Sequence, residues 1–325
     1  MAYLARLLAF ATAASSLLWS FPGLAQQPYP SRTIKIVVPS APGSTTDILA
    51  RIVADQLSRK WGKTTIVENI AGGSMNIGAS SVARAAPDGY TLMVAPPVPL
   101  SFSHLLHRNP GYDPSKFVPI SILAKIPNVL VVRKDLPVAT LKELIDYGKL
   151  NPGKLTYASG GAGSTAHLTA AQLGVRAGIK MVHVVYRGAQ PALSDIVAGH
   201  VDMFFDTLAT SVPLYRDSKV KLLAIPDLKR TPAAPDIPTF SEAGLSDFIS
   251  TTWFGMVAPP ATPADLVQKI NREVVEALKS KEVGDILSKI SLEPTATSAD
   301  EAVRFIAEEA AHWSQVIKNV GIEPQ

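Results

Sequence analysis

The stretch IVVPSAPGSTTDILARI, residues 36–52, decides the fold, because LTYASGGAGSTAHLTAA, residues 155–171, repeats its organisation. Each stretch begins with an apolar run typical of a strand, passes through a glycine-containing turn and enters a segment with helical spacing. Gly-Ser-Thr stands at the start of each predicted helix, at 43–45 and 163–165. Serine and threonine accept hydrogen bonds from the free N–H groups at a helix N-terminus. We therefore expect one strand–turn–helix unit to occur twice, about 120 residues apart.

The remainder of the chain continues the alternation of strands and helices. Strands are predicted over 33–39, 64–69, 91–96, 128–134, 154–159, 181–188, 201–206, 220–226 and 253–260. Helices are predicted over 46–62, 76–86, 139–150, 164–178, 189–199, 263–280, 282–290 and 299–321. This alternation predicts an α/β fold with mostly parallel sheets flanked by helices. Ligands of such folds bind beyond the carboxyl ends of the strands.

The N-terminus reads MAYLARLLAFATAASSLLWSFPGLAQ, in which Arg6 precedes an apolar run that ends at Gly23-Leu24-Ala25. A cation, a short apolar run and small residues before the cut predict a secretory signal peptide over 1–25. A membrane anchor is the alternative interpretation, but serines at 15, 16 and 20 interrupt the apolar run. No second long apolar run follows, so we expect a soluble mature chain.

The chain contains no cysteine, and its formal net charge is +4. Without cysteine there is no disulfide, thiolate metal site, catalytic thiol or lipid-anchored N-terminus. Together with the signal peptide this predicts a freely diffusing periplasmic monomer. Basic and acidic residues are interspersed, which makes nucleic acid a poor partner. His104 and His107 lack partners at metal-site spacing, so no metal is expected.

Residues 161–166, Gly-Ala-Gly-Ser-Thr-Ala, also fit the G-x-G-x-x-A pattern of a dinucleotide-binding turn. That turn needs an acidic residue about 20 positions later to hold the ribose. The next predicted strand ends in Tyr186, Arg187 and Gly188 instead. Arg187 leaves open a phosphorylated ribose, but the pattern favours no cofactor.

The two helix starts favour an anion more than they favour a cofactor. The first N–H groups of a helix lack intrahelical acceptors and carry the positive end of the helix dipole. A carboxylate or phosphate is their natural partner. Two ordinary capped helices are the alternative, but capping does not require glycine, which lets a backbone approach a ligand closely. Two such ends facing each other would hold an anionic ligand with two carboxylates, or with one carboxylate and a polar tail.

Seven segments together resemble the Bug family of periplasmic solute receptors, which serve tripartite tricarboxylate transporters. They are YPSRTIKIVVPSAPGSTTDILAR (29–51), ENIAGGSMNIGA (68–79), ARAAPDGYTLM (83–93), YASGGAGSTAHL (157–168), VVYRGAQPALSDIVAGHVDMFFD (184–206), PDIPTFSEAGL (235–245) and WFGMVAPPATP (253–263). The resemblance implies a two-lobed, type II-like binding-protein fold with the ligand in the cleft between the lobes. It implies a first lobe of 27–126 plus 250–325 and a second lobe of 127–249.

The resemblance also implies the ligand-binding residues, which lie in two strand-to-helix loops and at the border of the cleft. The first loop comprises Ser40, Ala41, Pro42, Gly43, Ser44, Thr45 and Asp47. The second comprises Ser159, Gly161, Ala162, Gly163, Ser164, Thr165 and His167, with Asn76, Tyr186, Gly188 and Asp206 at the border. Asp47 has an alternative role as the helix-surface partner of Arg51, four residues on. Asp206 has an alternative role as a solvated strand end.

Two positions of the first loop depart from the family pattern. Ser40 replaces an aromatic residue and Ser44 replaces a second glycine. The pocket therefore loses a ring and gains two hydroxyls, which favours a longer or more oxygen-rich acid over a small amino acid.

The sequence thus predicts a non-enzymatic receptor without cofactor that captures a di- or tricarboxylate and delivers it to the membrane subunits of a transporter. One alternative is a receptor that presents its ligand to a sensor kinase. The other is a periplasmic hydrolase in which Ser164 and His167 form the nucleophile–base pair, although no third residue to orient the imidazole is evident.

Overall fold

The computed structural model describes residues 29–161 and 163–324. The predicted signal peptide over 1–25 lies outside the described residues, as does Ala162. From Arg32 onward the chain forms one unit, and the fold described below is that of this unit. Among the described residues, no helix is both long and apolar enough to cross a membrane.

Strands and helices alternate along most of the chain. The strands are β1 (Ile34–Val38), β2 (Thr65–Asn69), β3 (Thr91–Ala95), β4 (Val118–Arg133), β5 (Leu155–Ser159), β6 (Met181–Val185), β7 (Met203–Thr207), β8 (Val220–Ala224), β9 (Thr251–Ala258) and β10 (Glu293–Pro294). The helices are α1 (Thr45–Trp61), α2 (Asn76–Ala83), α3 (Ser103–Leu106), α4 (Leu141–Leu150), α5 (Thr165–Ala177), α6 (Ala189–Ala198), α7 (Leu208–Arg216), α8 (Ala264–Lys279), α9 (Lys281–Lys289) and α10 (Ala299–Val320). Short 3₁₀ or π turns occupy Gly73–Met75, Val98–Phe102 and Pro114–Lys116.

The strands form one sheet in the order β2-β1-β3-β9-β4-β7-β5-β6, with β8 and β10 also paired to β4. Parallel pairs lie toward the two ends of this order: β1 with β2 and β3, and β5 with β6 and β7. This agrees with the α/β class and the parallel pairing expected from the strand–helix alternation. The pairs of β4 and β9 in the middle of the sheet are antiparallel, which the alternation does not predict.

Strand β4 is the shared element of the sheet because it changes partners along its length. Up to Pro127 it pairs with β9, and from Asn128 onward it pairs with β7 and β8. The sequence predicts only the second half, since Pro119 and Pro127 weaken the strand signal of the first half. Register shifts near Pro119 and between Ile122 and Ala124 accommodate the irregular pairing with β9.

Helix α7 is also absent from the sequence prediction. It contains Pro213 and two threonine or serine positions, which lower helix propensity. It begins directly after β7, so the strand end and the helix start share Thr207. This junction places the side chains of α7 next to Asp206.

Apolar residues cover both faces of the sheet. One cluster lies under α4 and α5 and includes the stacked rings of Phe240 and Phe248, whose centroids are 4.6 Å apart. The C-terminal helix α10 is tied to β9 by Nε1 of Trp253, which donates to Oε2 of Glu309 at 2.7 Å, and Trp313 of the same helix orients that carboxylate by donating to it at 3.1 Å. These contacts hold the helical C-terminus against the middle of the sheet.

Candidate functional site

A cavity of about 720 Å³ lies at the carboxyl ends of β1, β5 and β7. The starts of α1 and α5 both contribute to its wall, as the repeated strand–turn–helix unit predicts. Nine of the residues expected at the site line it: Ser40, Ser44, Thr45, Gly161, Ser164, Thr165, Tyr186, Gly188 and Asp206. Eight others do not: Ala41, Pro42, Gly43, Asp47, Asn76, Ser159, Gly163 and His167. Ala162 lies outside the described residues.

The first loop is held by a ring of hydrogen bonds around its helix start. Gly43 has φ +78°, a region that glycine enters without steric cost. Its N–H donates to Oδ2 of Asp47 at 2.9 Å, while the N–H of Asp47 donates to Oγ of Ser44 at 3.2 Å. These bonds leave Thr45 and Thr46, the first two residues of α1, facing the cavity. Their N–H groups have no intrahelical acceptor.

The second loop repeats this arrangement with a different side chain. Gly163 has φ +76° and its N–H donates to Nδ1 of His167 at 2.8 Å. The N–H of His167 donates to Oγ of Ser164 at 3.4 Å. Thr165 and Ala166 then open α5 at the cavity wall. Two similarly built helix N-termini therefore line the same cavity.

Asp47 supports the first loop from behind and does not reach the cavity. Its buried carboxylate pairs with Arg51 at 3.0 Å and accepts from Nδ2 of Asn69 at 2.9 Å. Burial alone would raise the pKa of Asp47, but the hydrogen bonds from Arg51, Gly43 and Asn69 outweigh it and lower the pKa. The pairing with Arg51 that the sequence offers as an alternative is therefore present, and the same carboxylate also fixes the loop.

His167 lies in a stack of three rings below the second loop. Its ring centroid is 4.0 Å from that of His183, which in turn stacks on Tyr157 at 4.8 Å. Burial, with a smaller contribution from His183, lowers the pKa of His167 to about 4. The ring is therefore neutral at pH 7, and Nδ1 accepts the Gly163 N–H while the proton resides on Nε2.

Ser164 and His167 do not form a nucleophile–base pair in this geometry. The contact between them joins the backbone N–H of His167 to the serine hydroxyl. Nδ1 of the imidazole is engaged by Gly163, so it is not the base that the hydrolase alternative requires. Among the described residues, no group of three or more histidine or acidic side chains is placed to hold a metal ion.

Three further expected residues lie behind or beside the cavity for identifiable reasons. A side chain at Gly163 would meet Leu106 at 2.0 Å, so this glycine is required by packing and by its positive φ. The hydroxyl of Ser159 donates to the Gly161 carbonyl at 2.9 Å and shapes the loop from within. Asn76 lies in an adjacent groove, where its side-chain oxygen accepts from the Tyr112 hydroxyl at 3.2 Å.

Several cavity residues escape the sequence reasoning. Asn128 and Thr252 lie where β4 changes partners, and Oγ1 of Thr252 donates to Oδ1 of Asn128 at 2.8 Å. They are missed because the first half of β4, and therefore its junction with β9, is not predicted. Thr207 directly follows Asp206 and its hydroxyl lies 2.7 Å from that of Thr45. Its position directly after the strand predicted over 201–206 is the one signal that could have identified it.

The fold and the cavity define a solute-binding protein of the periplasmic binding-protein class. The chain belongs to the family described as tripartite tricarboxylate transporter family receptor, whose sequence model matches residues 49–322.

Individual relatives agree with this assignment. The chain is 32% identical to protein BugT of Bordetella pertussis over 296 residues, which is 90% of each protein. It is similar to the structure of Rpa4515 from R. palustris with adipate, with TM-score 0.89 and 36% identity, covering 91% of this chain and 100% of that one. It is also similar to MatC from Rhodopseudomonas palustris with bound malate, with TM-score 0.84 and 32% identity, covering 89% and 100%.

Proposed function

We propose that the chain captures an organic acid with two or three carboxylates in the cavity between the starts of α1 and α5. The observation that carries the proposal is the pair of similarly built helix N-termini in one cavity. Each offers N–H groups without intrahelical acceptors, together with a serine and a threonine. A dicarboxylate has one anionic group for each end. The adipate and malate of the related structures belong to this class of ligand.

The charge of the cavity wall suits this mode of binding. Arg187 is the one basic side chain among its described lining residues, and it is exposed. The carboxylates are therefore held mainly by backbone dipoles and hydroxyls. Thr165 is suited to this task because its hydroxyl has no hydrogen-bond partner among the described residues. Ser40 and Ser44, whose hydroxyls are 2.8 Å apart, add oxygen-rich surface and favour a polar or extended acid.

We propose that the chain works as a two-lobed receptor, with 27–126 plus 250–325 as one lobe and 127–249 as the other. The partner change of β4 between Pro127 and Asn128 supports this division. The function is binding without catalysis, in the periplasm, as a monomer, followed by delivery to the membrane subunits of a tripartite tricarboxylate transporter. The family of the chain supports this destination.

A ligand screen on the mature protein tests the proposal. Thermal unfolding is measured with linear dicarboxylates of four to eight carbons, with tricarboxylates, and with neutral sugars and NADPH as controls. A ligand at 100 times its Kd adds about 2.7 kcal/mol to the free energy of unfolding. We expect stabilisation by one or more acids and none by the controls. Stabilisation by NADPH with no response to any acid would overturn the proposal.

A further inference from the structure

Asp206 lies at the carboxyl end of β7, next to the parallel strand β5 that leads into the second loop. It is the one acidic side chain among the described residues that line the cavity. Only 4% of the residue is exposed. A negative group is thus built into the wall of a cavity whose two helix N-termini suit negative ligands.

Neighbouring hydroxyls hold the Asp206 carboxylate in place. Oγ1 of Thr210 and Oγ of Ser211, both on α7, donate to its Oδ2 at 2.5 and 2.6 Å. The backbone N–H of Thr207 adds a further interaction. These donors are neutral, and no ion pair joins Asp206 to a cation among the described residues. The carboxylate is therefore fixed in position without a cationic side chain as its partner in the described part of the chain.

Such a charge is costly in the unliganded protein. Removing a carboxylate from water is unfavourable unless it is paired as well as hydrogen-bonded. Burial raises the pKa of Asp206 to about 6 despite the hydroxyl donors, so the group is mainly ionised at pH 7. A ligand carboxylate placed beside it would be repelled, whereas a ligand hydroxyl or ammonium would relieve the cost.

The other polar groups nearby are already engaged. Oγ1 of Thr207 contacts Oγ1 of Thr45 at 2.7 Å. The Asn128 amide donates to Ser250 at 2.7 Å and accepts from Thr252 at 2.8 Å. Because Thr207 and Asn128 are engaged elsewhere, a further donor to Asp206, beyond Thr210, Ser211 and the Thr207 N–H, would come from the cavity side.

We propose that Asp206 accepts a hydrogen bond from a hydroxyl or ammonium group of the ligand, so that the cavity selects hydroxy- or amino-substituted dicarboxylates over unsubstituted ones. This inference rests on the proposed function, since it specifies the ligand of the same cavity. A hydroxyl and an ammonium group can both donate a hydrogen bond to the Asp206 carboxylate. An ammonium would in addition neutralise the buried charge.

Matched acids that differ only in this substituent test the inference. Calorimetric Kd values are compared for succinate, malate and aspartate, for glutarate, 2-hydroxyglutarate and glutamate, and for adipate and 2-aminoadipate. A hydrogen bond to a charged group corresponds to roughly a 10- to 150-fold gain in affinity. We expect a substituted acid to exceed its unsubstituted partner by this factor at the preferred chain length. A larger gain for the amino acid than for the hydroxy acid identifies a cationic ligand.

The Asp206→Asn variant keeps the shape of the side chain and removes its charge. We expect the substituted-to-unsubstituted preference to fall to about threefold or less, with unsubstituted acids binding at least as tightly as before. Asp217→Asn, which makes the same charge change at the exposed far end of α7, should leave the preference unchanged. If Asp206→Asn does not fold, Asp206→Ser retains a hydroxyl to face Thr210 and Ser211 and carries the same expectation.

The outcomes separate this inference from the proposed function. Binding of unsubstituted acids with no preference in the wild type overturns the role of Asp206 and leaves carboxylate capture intact. A preference that persists in the folded Asp206 variant also overturns the role. If no acid of any length binds, both proposals are wrong.

Discussion

The backbone N–H of Gly163 donates to Nδ1 of His167 at 2.8 Å, and in the first loop the N–H of Gly43 donates to the carboxylate of Asp47 at 2.9 Å. The two bonds occupy the same place in the repeated unit, four residues apart in each case. The acceptors differ in chemistry, because Asp47 is charged and paired with Arg51 whereas His167 is a neutral ring. The two helix starts therefore share a geometry but respond differently to acid.

The His167 ring makes the protein sensitive to mild acid. Its pKa is lowered to about 4 in the folded protein from 6.5, so between these values the unfolded chain binds more protons. Stability from this residue is complete above pH 6.5 and is lost as the pH falls toward 4, at up to about 1.4 kcal/mol per pH unit. The pKa of Asp206 is raised to about 6, so between pH 3.8 and 6 the folded protein binds more protons at this residue than the unfolded chain. Its contribution to stability therefore increases as the pH falls and offsets part of the loss from His167.

Urea unfolding of wild type and His167→Asn between pH 4.5 and 7 isolates this contribution. The Asn side-chain oxygen can accept the Gly163 N–H, and it does not titrate. We expect the stability of the variant to fall less with acid than that of the wild type. His104→Asn, at an exposed histidine that has no ion pair among the described residues, is the matched control. Equal slopes in all three proteins would contradict the role of His167.

Two glycines of the second loop should respond differently to substitution. A side chain at Gly163 meets Leu106 at 2.0 Å and sits at φ +76°, so Gly163→Ala should cost about 1–3 kcal/mol of stability. A side chain at Gly160 meets the Gly188 Cα at 3.4 Å, an ordinary contact, and Gly160 lines the cavity. Gly160→Ala should therefore fold and change ligand affinity. Thermal unfolding and Kd measured on both variants check this; a stable Gly163→Ala would show that Leu106 moves aside freely.

The repeated unit could be predicted from the sequence because its signals are local. Strand, glycine turn and N-cap serine all lie within one short segment, and the structure places Ser44 and Ser164 as the N-caps of α1 and α5. Which face of each loop points to the cavity could not be predicted, because it depends on distant packing. Gly163 faces Leu106, a residue 57 positions earlier in the chain.

The middle of the sheet is the part that local signals miss. Asn128 and Thr252 meet through the antiparallel pairing of β4 with β9, whose partners are more than 120 residues apart. The prolines of β4 weaken its strand pattern, and the long sequence separation between β4 and β9 leaves no local signal for their antiparallel pairing. Polar residues at such crossings can be located only once the topology is known.

Loss of the Thr165 hydroxyl should weaken binding more than folding. Thr165 lines the cavity and its hydroxyl has no partner among the described residues, so Thr165→Ala should lose roughly 10- to 150-fold in affinity for a carboxylate. Thr140, the N-cap of α4 that accepts from the Glu143 N–H at 3.1 Å, lies away from the cavity. Thr140→Ala should cost about 1 kcal/mol of stability and leave affinity unchanged. Calorimetry measures the affinity of both variants and urea unfolding measures their stability. If Thr165→Ala loses stability and keeps its affinity, Thr165 is a structural residue and the prediction is wrong.

Contacts across the cavity predict that closure accompanies binding. The hydroxyls of Thr45 and Thr207 lie 2.7 Å apart, and Nε2 of Gln190 donates to the Gly43 carbonyl at 3.1 Å. These contacts join residues on either side of the partner change in β4, so they are present only when the two proposed lobes are together. A ligand that bridges both helix N-termini adds to them and shifts the population toward this state.

Spin labels can measure this closure, because the chain has no cysteine of its own. Lys63→Cys and Lys180→Cys place labels at exposed positions that precede β2 and β6, the two outer strands of the sheet. We expect the distance distribution between the two labels to narrow and to move to shorter distances with a saturating dicarboxylate.

The Gln190→Ala variant removes one contact across the cavity. The distance distribution of the unliganded variant should therefore shift to longer distances. The ligand should also bind more weakly, because the apparent affinity falls with the population of the binding-competent state. Distances that are identical with and without ligand would indicate a preformed site and contradict the two-lobed motion.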